Sequence, residues 1–319
     1  MTMSAHPERE TQNRIINFFQ KELGYKYLGN LEESENYNVR WGDWKAFLTD
    51  IGYSTAFIES LQNEFNKILA DFSQSPYHTN KEVYRILKYG RKLAEHPGES
   101  PKTVYFINWK EPLKNNFYIA EEVTVNGNVE KRPDIVLYIN GIAVAVMELK
   151  KSTVSVADGI RQNVTNQREQ FIQRFFSTVQ ICAAANDSEG LRYGTSGTTE
   201  KYYLEWKEDN FTDQLQDKDD LDKEIEAACS KQLNLLEKQC YRIFQKERFL
   251  DIIHNFIIYD SGIKKVCRYN QFYAIKRCQK SRRYCMAYPG IWKISYNGLA
   301  YKMDFGKHNR SKSTYHHRP

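Results

Sequence analysis

The sequence predicts an α/β fold, a mixed β-sheet flanked by helices, and three observations carry that expectation. Arg132 to Lys150, RPDIVLYINGIAVAVMELK, reads as two apolar strands joined at Asn140-Gly141, a turn dipeptide that tolerates positive φ. Ser155 to Phe175 then repeats apolar residues at helical spacing, through Ile160, Val164, Phe171 and Phe175. Thr178 to Ala185, TVQICAAA, is a short apolar run that suits a buried strand. Strand, helix, strand in that order implies a parallel neighbour and a right-handed crossover.

The other elements follow in chain order. Pro7 to Glu22 predicts a helix, with Ile15, Ile16, Phe19 and Leu23 on one stripe and Gly24 at its C′ position. Glu10 falls in its first turn, where a carboxylate meets the positive end of the helix dipole. Trp41 to Leu48, Thr55 to Phe72 and Lys81 to Ala94 predict the helices of an insertion over about 41–94. Lys88, Arg91 and Lys92 give the last of these a basic, solvated face that could meet DNA. Thr103 to Phe106 and Tyr118 to Val125 read as strands, the second turning at Asn126-Gly127-Asn128 into the apolar hairpin. Leu191 to Tyr193 and Tyr202 to Trp206 read as edge strands, and Asp187, at a strand end, is not assigned as a ligand. Residues 208–258 are charged and helical and predict a linker. Its last helix, Glu247 to Ile258, is stopped by Asp260-Ser261-Gly262.

Composition bounds the class. A chain of 319 residues with 41% apolar content can bury one large domain or two modest ones. No run approaches the length of a membrane span. The opening MTMSAHPERETQ has no apolar signal core, so a cytoplasmic protein is expected. The six cysteines form no CxxC pair, which argues against zinc and for reduced thiols. Net charge is +6, unevenly spread: residues 261–319 carry fourteen basic residues and one acid, and the rest carries thirty-two and thirty-nine. A basic tail on a mildly acidic body attracts phosphate, if the tail is folded protein at all.

Three charged residues interrupt the apolar hairpin: Asp134, Glu148 and Lys150. Charges rarely enter a central strand without a partner, because desolvation costs several kcal/mol. Glu148 and Lys150 are two apart and share a face. A two-residue loop alone would pair Asp134 with Met147 and put the two carboxylates on opposite faces. An odd register, from a three-residue loop over Asn140 to Ile142 or from a bulge, would bring Asp134 opposite Glu148. Two carboxylates and the Leu149 backbone carbonyl then suit a hard, octahedral cation such as Mg²⁺. Lys150 would orient a water or offset charge on phosphorus, which is the chemistry of phosphodiester hydrolysis. The competing reading is a structural ion pair at a sheet end.

Pro133-Asp134 followed by Glu148-Leu149-Lys150 resembles the PD-(D/E)xK nuclease motif. The text around it, RPDIVLYINGIAVAVMELKKSTVSVADGIRQ with VQICAAANDSEGLRYGT and KYYLEWKE, resembles the amino-terminal nuclease domain of the restriction subunit of type I restriction–modification enzymes. The resemblance runs over roughly residues 5 to 279. It implies a restriction-endonuclease-like mixed sheet over residues 1–207. It implies Asp134, Glu148 and the Leu149 carbonyl as metal ligands, and Lys150 as the group that assists the water. In that family a Gln-x-x-x-Tyr motif follows on a helix. Gln162 matches the glutamine, and Asn166 stands where tyrosine is expected; Gln167 with Phe171 is a poorer fit. Nucleases of this class also often carry an acid on the opening helix, which Glu10 would supply.

Residues 259–279 resemble the opening of a helicase-type ATPase, with Arg268, Tyr269 and Gln271 where that family holds adenine. A phosphate loop of form GxxxxGK[ST] should follow, and the chain contains none. Back-translated and read one base later, Met286 to Ala300 permits such a loop. Residues 280–319 are therefore expected to be a frameshifted, disordered tail. The resulting expectation is a Mg²⁺-dependent endonuclease acting on double-stranded DNA, lacking its ATP-driven motor. Its family partners would be modification and specificity subunits. The alternative is a catalytically silent remnant that binds DNA or those subunits, and an RNA-directed nuclease would share the metal chemistry.

Overall fold

The computed structural model describes residues 8–71, 73–96, 98–207, 225 and 227–281. Of the expected frameshifted tail, 280–319, residues 282–319 lie outside the described residues, as do residues 208–224 and 226 of the expected linker. Helix α1 (Glu8–Lys21) buries Ile15, Ile16, Phe18 and Phe19, and β1 (Lys26–Asn30) follows at the edge of the main sheet. Helices α2 (Trp41–Asp50), α3 (Thr55–Leu69) and α4 (Pro76–Tyr89) come next along the chain. Trp44, Phe65 and Phe106 meet there with ring centroids 5.1–6.4 Å apart.

The third insertion helix begins and ends five residues earlier than its apolar spacing suggested. The Ser75 side chain accepts from His78 N, Pro76 presets the first helical φ, and Gly90 at φ 75° ends the helix. This frees β2 (Arg91–Leu93) to pair antiparallel with β3 (Lys102–Val104) as a separate ribbon.

The main sheet has seven strands in the order β1-β4-β5-β6-β7-β8-β9. Its centre is β4 (Phe117–Glu121), β5 (Ile135–Ile139) and β6 (Ile142–Leu149), joined antiparallel. Helix α5 (Val156–Asn166) crosses over from β6 to β7 (Ile181–Asn186), which lies parallel to β6 as the sequence predicts. The helix stops at Asn166, short of the predicted Phe175, and a 3-10 turn covers Gln173–Ser177. β8 (Gly190–Gly194) and β9 (Leu204–Glu205) complete the edge. One face of the sheet, through Ala120, Val136, Tyr138, Val146 and Cys182, packs on Ile172, Phe175 and Phe176.

Helices α6 (Leu235–Phe244) and α7 (Lys246–Asn255) pack on this body. Gln239 Oε1 accepts from Leu191 N at 2.6 Å, and Tyr25 OH donates to Phe244 O at 2.8 Å. The helix expected to reach Ile258 ends at Asn255. Ile257–Asp260 (β10) and Ile263–Val266 (β11) form a hairpin about Ser261-Gly262, both at positive φ, so that dipeptide joins two strands instead of stopping a helix. Lys264 of β11 is buried and donates to Val179 O and Gln180 Oε1. The residues up to Arg268 make one compact unit, and those from Tyr269, where α8 (Tyr269–Ser281) starts, make a second. Among the described residues no helix is long and apolar enough to cross a membrane.

Candidate active site

The hairpin turn is a two-residue loop, with Asn140 at φ 50° and Gly141 at φ 82°. The Asn140 side chain is wholly buried, accepting from Asn116 N and donating to Phe106 O and Asn115 Oδ1. The register runs Ile139↔Ile142 and Tyr138↔Ala143, then slips to Leu137↔Ala145 and Ile135↔Met147. The extra residue is Val144 inside β6, not a third loop residue. Continued by one position, this register sets Asp134 opposite Glu148. The odd count that the sequence required is therefore a bulge.

Asp134 is 9% exposed and Glu148 is fully buried. Asp134 Oδ2 accepts from the backbone N–H of Leu149 at 2.6 Å. Burial pushes its carboxyl up to about 6; the Leu149 N–H and the Lys150 charge pull it down, and Glu8 and Glu122 push it up. Burial, and after it the charge of Asp134, pushes Glu148 well above the usual glutamate range. Asn166 Nδ2 donates to Glu148 Oε1 at 3.2 Å. Glu148 Oε2 is buried with no donor, and the Asp134 carboxyl lies against Glu148. Two carboxyls hydrogen-bond only when one carries a proton, so in the ionised pair Glu148 Oε2 has no partner. Lys150 Nζ donates to Leu149 O at 2.8 Å and stands 3.6 Å from Glu8 Oε1.

The supporting elements explain this closeness. Gly159 of α5 has no side chain where a Cβ would lie 3.6 Å from Glu148 Cβ, 3.5 Å from Lys150 Cγ and 3.1 Å from Ala184 Cβ. Asn163 Nδ2 ties the same helix to Ala183 O at 2.6 Å. From the other side, Gln12 of α1 donates to Glu121 Oε2 and Glu122 Oε1 at 3.1 Å and to Asp134 O at 3.3 Å. Arg9 and Tyr27 also bond Glu121.

Donor chemistry fits a hard cation: two acidic oxygens, one of them orphaned, beside a backbone carbonyl with a second lone pair. Among the described residues no group of three or more His, Cys, Asp or Glu is arranged for a metal. Gln162 is half-buried, and its side chain makes no hydrogen bond among the described residues. The partner of the carboxylate is Asn166, one turn on. Glu10 lies in the first turn of α1, whereas the acid beside Lys150 is Glu8. The sequence gives no signal for Gln12, Gly159 or Glu8 at this site. Their roles come from packing between distant elements, which spacing along one helix does not reveal. Arg268 ends the first unit, and Tyr269 and Gln271 open α8 in the second.

The family described as type I restriction enzyme R protein N terminus matches residues 6–202. A Methanocaldococcus jannaschii protein provisionally named the MjaIXP type I restriction enzyme endonuclease subunit is 25% identical over 279 residues, covering 81% of this chain and 26% of its own. The Staphylococcus aureus SauMSSORF170P endonuclease subunit is 26% identical, covering 53% and 21%. The Escherichia coli EcoprrI endonuclease subunit is 22% identical, covering 80% and 74%. The chain thus spans about a quarter of the length of the first of these relatives.

Proposed function

This chain belongs to the type I restriction enzyme R protein family, through the family's N-terminal region, and on that premise we propose that it is a Mg²⁺-dependent endonuclease domain for double-stranded DNA. The observation that supports this reading is the meeting of Asp134 and Glu148 at one strand end with Glu148 Oε2 unpartnered. Asp134, Glu148 and the Leu149 carbonyl would hold the cation. Bound there, it supplies Lewis acidity and a more acidic water. Lys150 holds its ammonium at that carbonyl, from which it can orient the attacking water or meet charge developing on the phosphate. Gln162, with its amide unengaged, would hold a DNA phosphate. The buried setting strengthens each of these interactions by excluding bulk water.

The whole family protein would use ATP in a motor. Arg268, Tyr269 and Gln271 would contribute to its adenine site. Modification and specificity subunits would bring the domain to its DNA.

Nicking of supercoiled double-stranded DNA by the full chain, with Mg²⁺ and with EDTA, tests the reading. Mg²⁺-dependent nicking is expected, falling by about a hundredfold or more in Lys150→Ala. Equal residual activity in both proteins would instead make the domain a silent module that binds DNA or its partner subunits.

A further inference from the structure

We propose that Asn166 is a positioning residue, whose side-chain amide holds the Glu148 carboxylate so that Oε2 faces the metal position beside Asp134. The inference rests on the nuclease reading and adds to it a residue outside the Asp–Glu–Lys set.

Three observations carry it. First, Asn166 Nδ2 is the one donor that the Glu148 carboxylate has among the described residues, at 3.2 Å to Oε1. The terminal torsion of a glutamate is otherwise broad. With Oε1 engaged, the carboxylate has one remaining direction in which to present its free oxygen.

Second, the donor is itself fixed. Asn166 is 2% exposed and ends α5, and its carbonyl accepts from Ile172 N at 3.2 Å. One turn back, Asn163 ties α5 to β7. The next residue, Gln167, donates to Asn163 O and accepts from Gly197 N. A donor on a pinned helix end orients its acceptor; one on a mobile chain would follow it.

Third, the residue type asks for a reason. Asparagine is a poor helix former, and a buried amide is costly unless bonded. An apolar residue would fill this position with less penalty, unless the position exists to give Glu148 its donor. Without that donor, nothing among the described residues would fix which way the Glu148 carboxylate faces.

The test is calorimetric titration of Mn²⁺ into the full chain, with the unfolding midpoint recorded for each protein. Asn166→Ala is expected to weaken Mn²⁺ binding about tenfold or more. Glu148→Gln should weaken it further. In the Glu148→Gln background, Asn166→Ala should change nothing more, because its route to the metal is gone. Unchanged affinity in Asn166→Ala, or full additivity in the double variant, overturns the proposal. Wild-type binding that ignores Glu148→Gln overturns the nuclease reading and this inference with it. Should Asn166→Ala fail to fold, the Asn166 side-chain amide signal of ¹⁵N-asparagine-labelled chain decides. It should move on Mg²⁺ addition in the wild type and stay still in Glu148→Gln, and a wild-type signal that does not move overturns the proposal.

Discussion

Leu149 donates its backbone N–H to Asp134 Oδ2 at 2.6 Å, so the residue lying between Glu148 and Lys150 in sequence also holds the third member of the set. This bond exists only in the odd register that the Val144 bulge creates. Without the bulge, β6 would turn Glu148 and Lys150 away from the face that carries Asp134, Val136 and Tyr138, and the two carboxylates would part. Site and register are therefore one property of the hairpin.

The turn that starts this hairpin is the place where that property can be weakened. Gly141 has φ 82°, and a Cβ on it would lie 2.6 Å from Arg40 O and 2.7 Å from Trp44 N, both backbone atoms at the start of α2. Arg40 N also donates to Gly141 O at 2.7 Å. Gly141→Ala is expected to cost about 2–4 kcal/mol, from the left-handed backbone and the overpacking together. Urea unfolding measures it, and a loss below about 0.5 kcal/mol would mean that α2 moves aside freely.

Much of this was legible in the sequence, for identifiable reasons. The Asn140-Gly141 dipeptide, the apolar runs and the helical stripe of α5 are local signals, and they gave the centre of the sheet and its parallel β7 neighbour. The need for an odd register was legible because charge and periodicity conflict there; its position at Val144 was not, because a bulge among Ala and Val residues leaves no local mark. The sequence marks Asn166 only as the residue standing where the resembled motif has tyrosine; its contact with Glu148 is set by how α5 crosses the sheet. The hairpin at Ile257–Val266 is hidden in the sequence because Ser261-Gly262 can end a helix or join two strands.

A pH effect is expected away from the site. The His254 ring lies 4.6 Å from Trp109, which is anchored by its Nε1 donating to Leu87 O. Burial lowers the affinity of His254 for a proton; Lys88 lowers it too, while the bond to Asn255 and the charge of Asp251 raise it. The unfolded chain therefore takes up this proton first as pH falls below about 6.5. Stability from the neutral ring is fully present above that value and is lost as pH falls through the lower folded value. His254→Phe keeps a ring against Trp109 and should flatten the slope of unfolding free energy between pH 7.5 and 5. Identical slopes in both proteins would clear His254 of any part in it.

The metal-free site should be a liability to the fold. Glu148 is fully buried against Asp134, with Oε2 unsatisfied, and burial and repulsion both disfavour its ionised form. Glu148→Gln keeps shape and keeps an oxygen to accept from Asn166 Nδ2. Its new amide can donate to the Asp134 carboxylate, so a repulsive contact becomes a hydrogen bond. In EDTA at neutral pH the variant should be more stable than wild type by about 1–3 kcal/mol. The same change removes an anionic ligand, so Mg²⁺ should raise the unfolding midpoint of the wild type and leave that of Glu148→Gln unmoved. A variant less stable than wild type in EDTA would mean that the carboxyl pair stabilises the fold through its shared proton, and that the site is structural.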